Sequence, residues 1–324
     1  MLTDPGTAPP TGPSPYAGVR PEAGTPAVIG NTRIFDDLAG LVWNATKQEL
    51  LFVVSQNNKI MRWRDGLADD QNFDVVRPGA EHMDDMKGLD LGPDGALWVC
   101  EARYSLPHRV SRSTDGYDHP LTVVDHWQGS PAVPAADFTS PWYISVRWDG
   151  NVYFTDTPHR YSGAPDKSVF RIDSAGNLTM LKHYTSDADL SEGGAFGIAL
   201  SPDQRAFYIS TWNHPGYPQL VRFDLDAEGA VAKETLIMTD KDGPIQSVDG
   251  LCIDQGENLY LCSGGGGVRI YNPAGDFLGS IAIPGATDCS FGGSDMKTLF
   301  VATSGGVAGD KNLYRVPMNI PGLP

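Results

Sequence analysis

Asp249 stands in the run Ser247-Val248-Asp249-Gly250-Leu251-Cys252-Ile253-Asp254, an acid placed just ahead of a short apolar stretch. A carboxylate flanked by apolar surface is expected to have a raised pKa and can serve as a general acid or base. Five other stretches repeat the phrase loosely, and at the matching place they carry Ala39, Lys87, Trp142, Phe196 and Asp288. An ammonium at Lys87 can pair with Asp249, activate a carbonyl or, in a dry site, form a Schiff base. Trp142 and Phe196 offer flat apolar faces on which a ring can stack, with Tyr143 and Trp212 as further aromatic neighbours. His159, after Thr155-Asp156-Thr157-Pro158, and His214, in Thr211-Trp212-Asn213-His214-Pro215, are candidate proton shuttles, because imidazole titrates near neutrality. The expected catalytic set is therefore Asp249, Lys87, His159 and His214. The expected substrate-binding set is Trp142, Phe196, Tyr143, Asp288 and Trp212. Each has a plainer reading too: aromatic side chains fill cores, and an Asp–Lys pair can simply hold neighbouring repeats in register.

Other chemistries find no support. There is no GxSxG for a nucleophile elbow. The run Gly264 to Gly267 lacks the strand–loop–helix setting and the Lys-Ser/Thr of a phosphate loop, and reads as a tight hairpin. Cys100, Cys252, Cys262 and Cys289 show no CxxC spacing and are expected to be buried free thiols of a cytoplasmic protein.

These residues must be positioned by strands. The repeated phrase is strand, Asp/Gly turn, aromatic-rich strand, loop, strand, as in Gly88-Leu89-Asp90-Leu91, Asp94-Gly95, Leu97-Trp98-Val99-Cys100. Asp-Gly and Pro-Asp pairs supply turn dihedrals, and β-branched and aromatic runs between them favour strands. The copies recur at roughly 50 residues, the spacing of propeller blades. Six copies predict a six-bladed β-propeller of four-stranded antiparallel blades over residues 29–324. The fourth strands are expected at Leu121-Thr122-Val123-Val124, Thr235-Leu236-Ile237-Met238 and similar intervals. Thr32-Arg33-Ile34-Phe35 is expected to close the last blade. A pair of β-sandwiches is the competing architecture. Residues 1–28, rich in Pro and Gly, read as an extension, with neither the basic start nor the apolar core of a signal peptide.

In a propeller the first strand of every blade lines the central channel, so residues about 50 apart in sequence converge at one mouth. Any site is expected there. The formal net charge of −16 argues against nucleic acid or an anionic membrane surface as partner. No apolar run is long enough to span a bilayer. A small-molecule substrate is the expected partner.

The stretches Val248-Asp249-Gly250-Leu251-Cys252-Ile253-Asp254, Gly267-Val268-Arg269-Ile270-Tyr271 and Cys289-Ser290-Phe291-Gly292-Gly293 resemble the gluconolactonase, or regucalcin (senescence-marker-protein), family. Tyr153-Phe154-Thr155-Asp156-Thr157-Pro158 and Gly197-Ile198-Ala199-Leu200-Ser201-Pro202-Asp203 support it, and the likeness runs from about residue 29 to 318. The resemblance implies a lactonase-type hydrolase with one divalent ion, often calcium, held by a Glu, two Asn and an Asp. At the matching positions this chain has Ala39, Trp142, Phe196 and Asp249, so only the Asp is kept. One carboxylate does not supply the oxygen set a hard cation takes. The expectation is hydrolysis of a cyclic, fairly hydrophobic ester or lactone without a cofactor. Calcium or another divalent ion enters only if Glu101, Asp156 or Asp254 takes over as a ligand. A metal-independent cyclase or lyase, and a non-catalytic binding propeller, are the alternatives.

Overall fold

The computed structural model describes residues 26–30, 38–55, 59–66, 72–78, 86–102, 108–114, 116–131, 134–157, 167–184, 194–213, 217–241, 248–304 and 311–323. Six antiparallel four-stranded sheets are formed, together with a two-stranded ribbon, His126–Trp127 with Ala136–Asp137. The inner strands of blades one to six are Leu38–Asn44, Met86–Leu91, Pro141–Val146, Ile198–Leu200, Leu251–Ile253 and Ala286–Gly292. The expected fourth strands are present as Leu121–Val124 and Val231–Thr239.

The second strand of each blade is an apolar run, and Leu50–Val54, Leu97–Glu101, Val152–Asp156 and Leu259–Cys262 are buried end to end. Both faces of such a strand pack against neighbouring blades, so alternation is suppressed there, whereas Leu121 and Leu236 on outer strands remain exposed. The core is accordingly not one layer but six wedges. Phe52, Trp63 and Phe300 fill the wedge between blades one and six, and Val53, Met86 and Val99 that between one and two. Phe154 with Val110, and Tyr153 with Phe207, fill the next two, flanking blade three. Tyr208 with Leu261, and Tyr260 with Phe291, complete the circle. Two stacked sandwiches would share a core between sheet faces; a closed round of wedges is the propeller. Blades two and five, and three and six, therefore face each other across the axis.

The inner hairpins share one device. Gln48, Gly95, Gly150, Gln204, Glu257 and Met296 all adopt positive φ at the same point of the turn. Ring closure departs from expectation. The strand completing blade six is Ala27–Gly30, which pairs with Leu313–Pro317. Thr32–Phe35 lies outside the described residues. Ala27–Gly30 has only Val28 and Ile29 as strong strand formers, fewer than the later run, so local propensity does not mark which of them meets the sheet edge.

Candidate active site at the channel mouth

The inner strands begin with bulges that set their side-chain directions; in blade one the bulge comes a residue later, with Gly40 and Leu41 facing Phe52. Lys87 and Gly88 together face Cys100, Trp142 and Tyr143 face Thr155, and Thr287 and Asp288 face Ala302. In blades four and five, Ser210 bonds both Phe196 and Gly197, and Cys262 bonds both Asp249 and Gly250. Such bulges re-aim side chains at the rims of closed sheets. Their first residues form the mouth: Lys87, Trp142, Phe196, Asp249 and Thr287. Blade six thus corrects the sequence reading by one residue. Thr287, not Asp288, holds the first position, because Gly250 N donates to Thr287 O just as Gly197 N donates to Asp249 O. Blades two, four and five mark the register with a glycine; blade six has Asp288 in that place.

The glycines are steric necessities. A Cβ on Gly197 would sit 2.5 Å from Asp249 O, and one on Gly250 would sit 2.1 Å from Asp288 Oδ1. With Gly88, Gly197 and Gly250 in second position, and Gly40 of blade one close beside Lys87 O, the ring is nearly bare of side chains there. Tyr143 and Asp288 fill it. The Tyr143 hydroxyl donates to Thr287 O at 3.0 Å, from blade three to the opposite blade six. It is a bar across the channel. Asp288 is 4 % exposed and accepts from Leu41 N at 2.8 Å and from Cys289 N at 2.9 Å. Burial, with Cys289 beside it, holds the Asp288 carboxyl well above the usual range. Burial, then the charges of Asp288 and Asp249, holds the Tyr143 hydroxyl protonated far beyond the usual tyrosine range.

Above the bar, three predicted residues come together. The Lys87 ammonium lies 4.7 Å from the centre of the Trp142 ring, and Trp142 meets Phe196 edge-on at 6.2 Å. This belt runs through blades two, three and four. Asp249 stands opposite Lys87, since blades two and five face each other. The mouth thus presents an ammonium, an aromatic wall and a carboxylate, with Thr287 on the remaining arc; Ala39 instead pairs with Val53 and packs into the wedge between blades one and two. Second-strand hydroxyls brace it: Thr155 accepts from Tyr143 N and donates to Phe196 O, and Ser210 donates to Asp249 O at 2.8 Å.

His159 and His214 lie outside the described residues. Trp212 lies near the end of the strand Ala206–Asn213, paired with Pro218. The carboxylates considered as substitute ligands are occupied. Glu101 is bound by Arg77, Arg109 and Ser111. Asp156 accepts from Thr139 N and Ser140 N, and burial raises it to about 6 despite them. Asp254 accepts from Asn258 and Tyr260 within its own hairpin.

Below the bar the channel opens into a cavity of about 460 Å³, lined by Asp90, Ser145, Cys252, Cys289 and Ser290 and reaching the exposed Trp148. No first-position residue lines it. Burial lifts Asp90 to about 6 even though it accepts from Val146 N and Leu91 N. The sequence reading missed this chamber and the bar above it. Both need ring closure to become visible.

A six-bladed propeller with one polar and aromatic axial mouth defines the class. Within that class the chain belongs to the SMP-30/gluconolactonase/LRE-like family, whose signature spans residues 39–305. It is 28 % identical to a gluconolactonase of Zymomonas mobilis over 82 % of this chain and 75 % of that one. The fold is shared with a gluconolactonase from Xanthomonas campestris, at a TM-score of 0.72 and 23 % identity over 92 % of this chain and 91 % of the other. It is shared also with the calcium-binding protein regucalcin from Agrobacterium tumefaciens, at 0.67 and 14 % over 89 % and 92 %. That neighbour binds calcium, and whether the mouth of this chain could hold such an ion is decided by its own residues. Of the first-position residues only Asp249 carries a carboxylate, and calcium takes about six to eight oxygens. Among the described residues no group of three His, Cys, Asp or Glu side chains is placed to hold a metal. The residues present do not fit that ion.

Proposed function

We propose that this chain is a lactonase-type hydrolase that opens a cyclic, fairly hydrophobic ester at the channel mouth without the divalent ion of its family. The observation that carries the reading is the Lys87–Trp142–Phe196 belt facing Asp249 across the axis. Trp142 and Phe196 bind the ring by stacking and apolar contact. The Lys87 ammonium attracts the carbonyl oxygen and stabilises the negative charge that grows there. The Asp249 carboxylate takes a proton from water as the water oxygen bonds to the carbonyl carbon. The ring C–O bond then breaks, and the departing alkoxide receives that proton. The product is the open hydroxy acid. The Tyr143 bar closes the floor, so substrate enters and product leaves by the same side.

The support is the family, the relatives' lactonase activity and the chemistry of the mouth. The experiment is acid release from a panel of γ- and δ-lactones by protein stripped with a chelator. The expected result is turnover that survives stripping and is unaffected by added calcium. Loss of turnover on stripping, with recovery on adding calcium, would overturn metal independence. Binding of lactones with no acid release would make the chain a binding propeller instead.

A further inference from the structure

The lower chamber holds chemistry that the mouth does not use. Cys252, on the inner strand of blade five, and Cys289, on the inner strand of blade six, place their sulfurs 2.9 Å apart. Both line the chamber, where Cys252 is half-buried and Cys289 is 3 % exposed. The neighbouring inner strands run side by side, tied by the Gly250 N to Thr287 O bond two residues earlier, so the pairing is built into the ring. Cys262, fully buried on the second strand of blade five, stands behind the pair. A disulfide bond measures about 2.04 Å, so the sulfurs need approach by less than about 1 Å.

We propose that Cys252 and Cys289 are an oxidisable dithiol, closed to a disulfide by hydrogen peroxide or a small organic hydroperoxide entering through the lower chamber. Burial works against ionisation of Cys289, but donation from the Cys252 and Cys262 thiols outweighs it and pulls Cys289 below the usual thiol range. Cys252 is held well above that range, by burial first and by its bond to Cys289 second. Their roles follow. The Cys289 thiolate attacks one peroxide oxygen, the O–O bond breaks, and the leaving hydroxide takes a proton to become water. The Cys252 thiol then attacks the sulfenic sulfur, gives up its proton, and a second water leaves with the sulfenic oxygen. In sum, two thiols and one peroxide give one disulfide and two waters. The sulfurs are oxidised and the peroxide is reduced.

The bond would tie blade five to blade six directly beneath the bar. Asp249 lies three residues before Cys252, and Asp288 adjoins Cys289. Oxidation would therefore stiffen the two elements that carry the acids of the mouth and of its floor. Cys100, on blade two, has no part in this and serves as an internal control.

The test treats the full chain with hydrogen peroxide, counts thiols after denaturation, and maps the linked peptides by mass spectrometry. It is independent of whether lactones are hydrolysed at the mouth. The expected result is a fall from four thiols to two, a Cys252–Cys289 linked peptide, and full recovery with dithiothreitol. Cys252→Ser should keep all three remaining thiols out of any disulfide. Its circular dichroism spectrum, compared with that of the untreated parent chain, controls for folding. Retention of four thiols, or a bond joining Cys262 to Cys289, would overturn the proposal. So would irreversible oxidation of Cys289 with Cys252 intact.

Discussion

Removing the Tyr143 side chain tests whether it bars the channel or only lies beside it. In Tyr143→Phe the ring stays and only the hydroxyl donor to Thr287 O is lost. Thr287 O keeps its bond from Gly250 N, so no buried carbonyl is orphaned. The loss is then that of one ordinary hydrogen bond, about 0.5–1.5 kcal/mol, toward the low end. Tyr143→Ala removes the bar. The surrounding ring cannot collapse into the gap, because the flanking positions are backbone held by inter-blade bonds. An aromatic-to-alanine change in such a place costs about 3–5 kcal/mol. Urea unfolding of parent and both variants measures the two values. A Tyr143→Ala loss below about 1 kcal/mol would refute the bar, since it would mean that the ring does not pack around this side chain.

Gly250→Ala should be among the most damaging small substitutions, costing about 3 kcal/mol or more, because its Cβ would lie 2.7 Å from Asp288 Cα as well as against the carboxylate; a melting temperature within a degree or two of the parent would contradict the inter-blade register described above. Asp156 gives a pH signature. Burial raises its folded pKa to about 6 from 3.8, so the fold holds this proton to a higher pH than the unfolded chain does. Its contribution is complete below pH 4 and is lost as pH rises through 6, a swing of about 3 kcal/mol. Asp156→Asn keeps an oxygen in place of Oδ1, which accepts from both Thr139 N and Ser140 N. The difference in unfolding free energy between variant and parent should therefore shift in the variant's favour between pH 4 and 6.5, and a pH-independent difference would count against the assignment.

How much of this was legible depends on the distance over which the signal acts. The propeller was readable because Asp-Gly turns and apolar second strands repeat the same local physics in each blade. Lys87, Trp142, Phe196 and Asp249 could be aligned in sequence because a glycine or a repeated strand start marks their register. Blade six had no such marker, since Asp288 occupies the glycine place, and the reading slipped by one residue. The closing strand at Ala27–Gly30 was missed for a related reason: two short β-prone runs compete for one edge, and the choice is made by the partner Leu313–Pro317. The Tyr143 bar joins residues 144 apart in sequence, and the Cys252–Cys289 contact joins residues 37 apart. Neither follows a spacing rule. Both arise from closing the ring, which sets blade three against blade six and inner strand beside inner strand.

The central claim is that Asp249 moves the proton at a mouth whose binding wall is Trp142 and Phe196. The most direct measurement is the steady-state hydrolysis of the best lactone by Asp249→Asn, beside the parent chain, both treated with chelator. The account predicts a fall in kcat of about 10² to 10⁴-fold with KM changed little, because the aromatic wall is untouched. A kcat within about threefold of the parent would contradict it and move the general base away from Asp249.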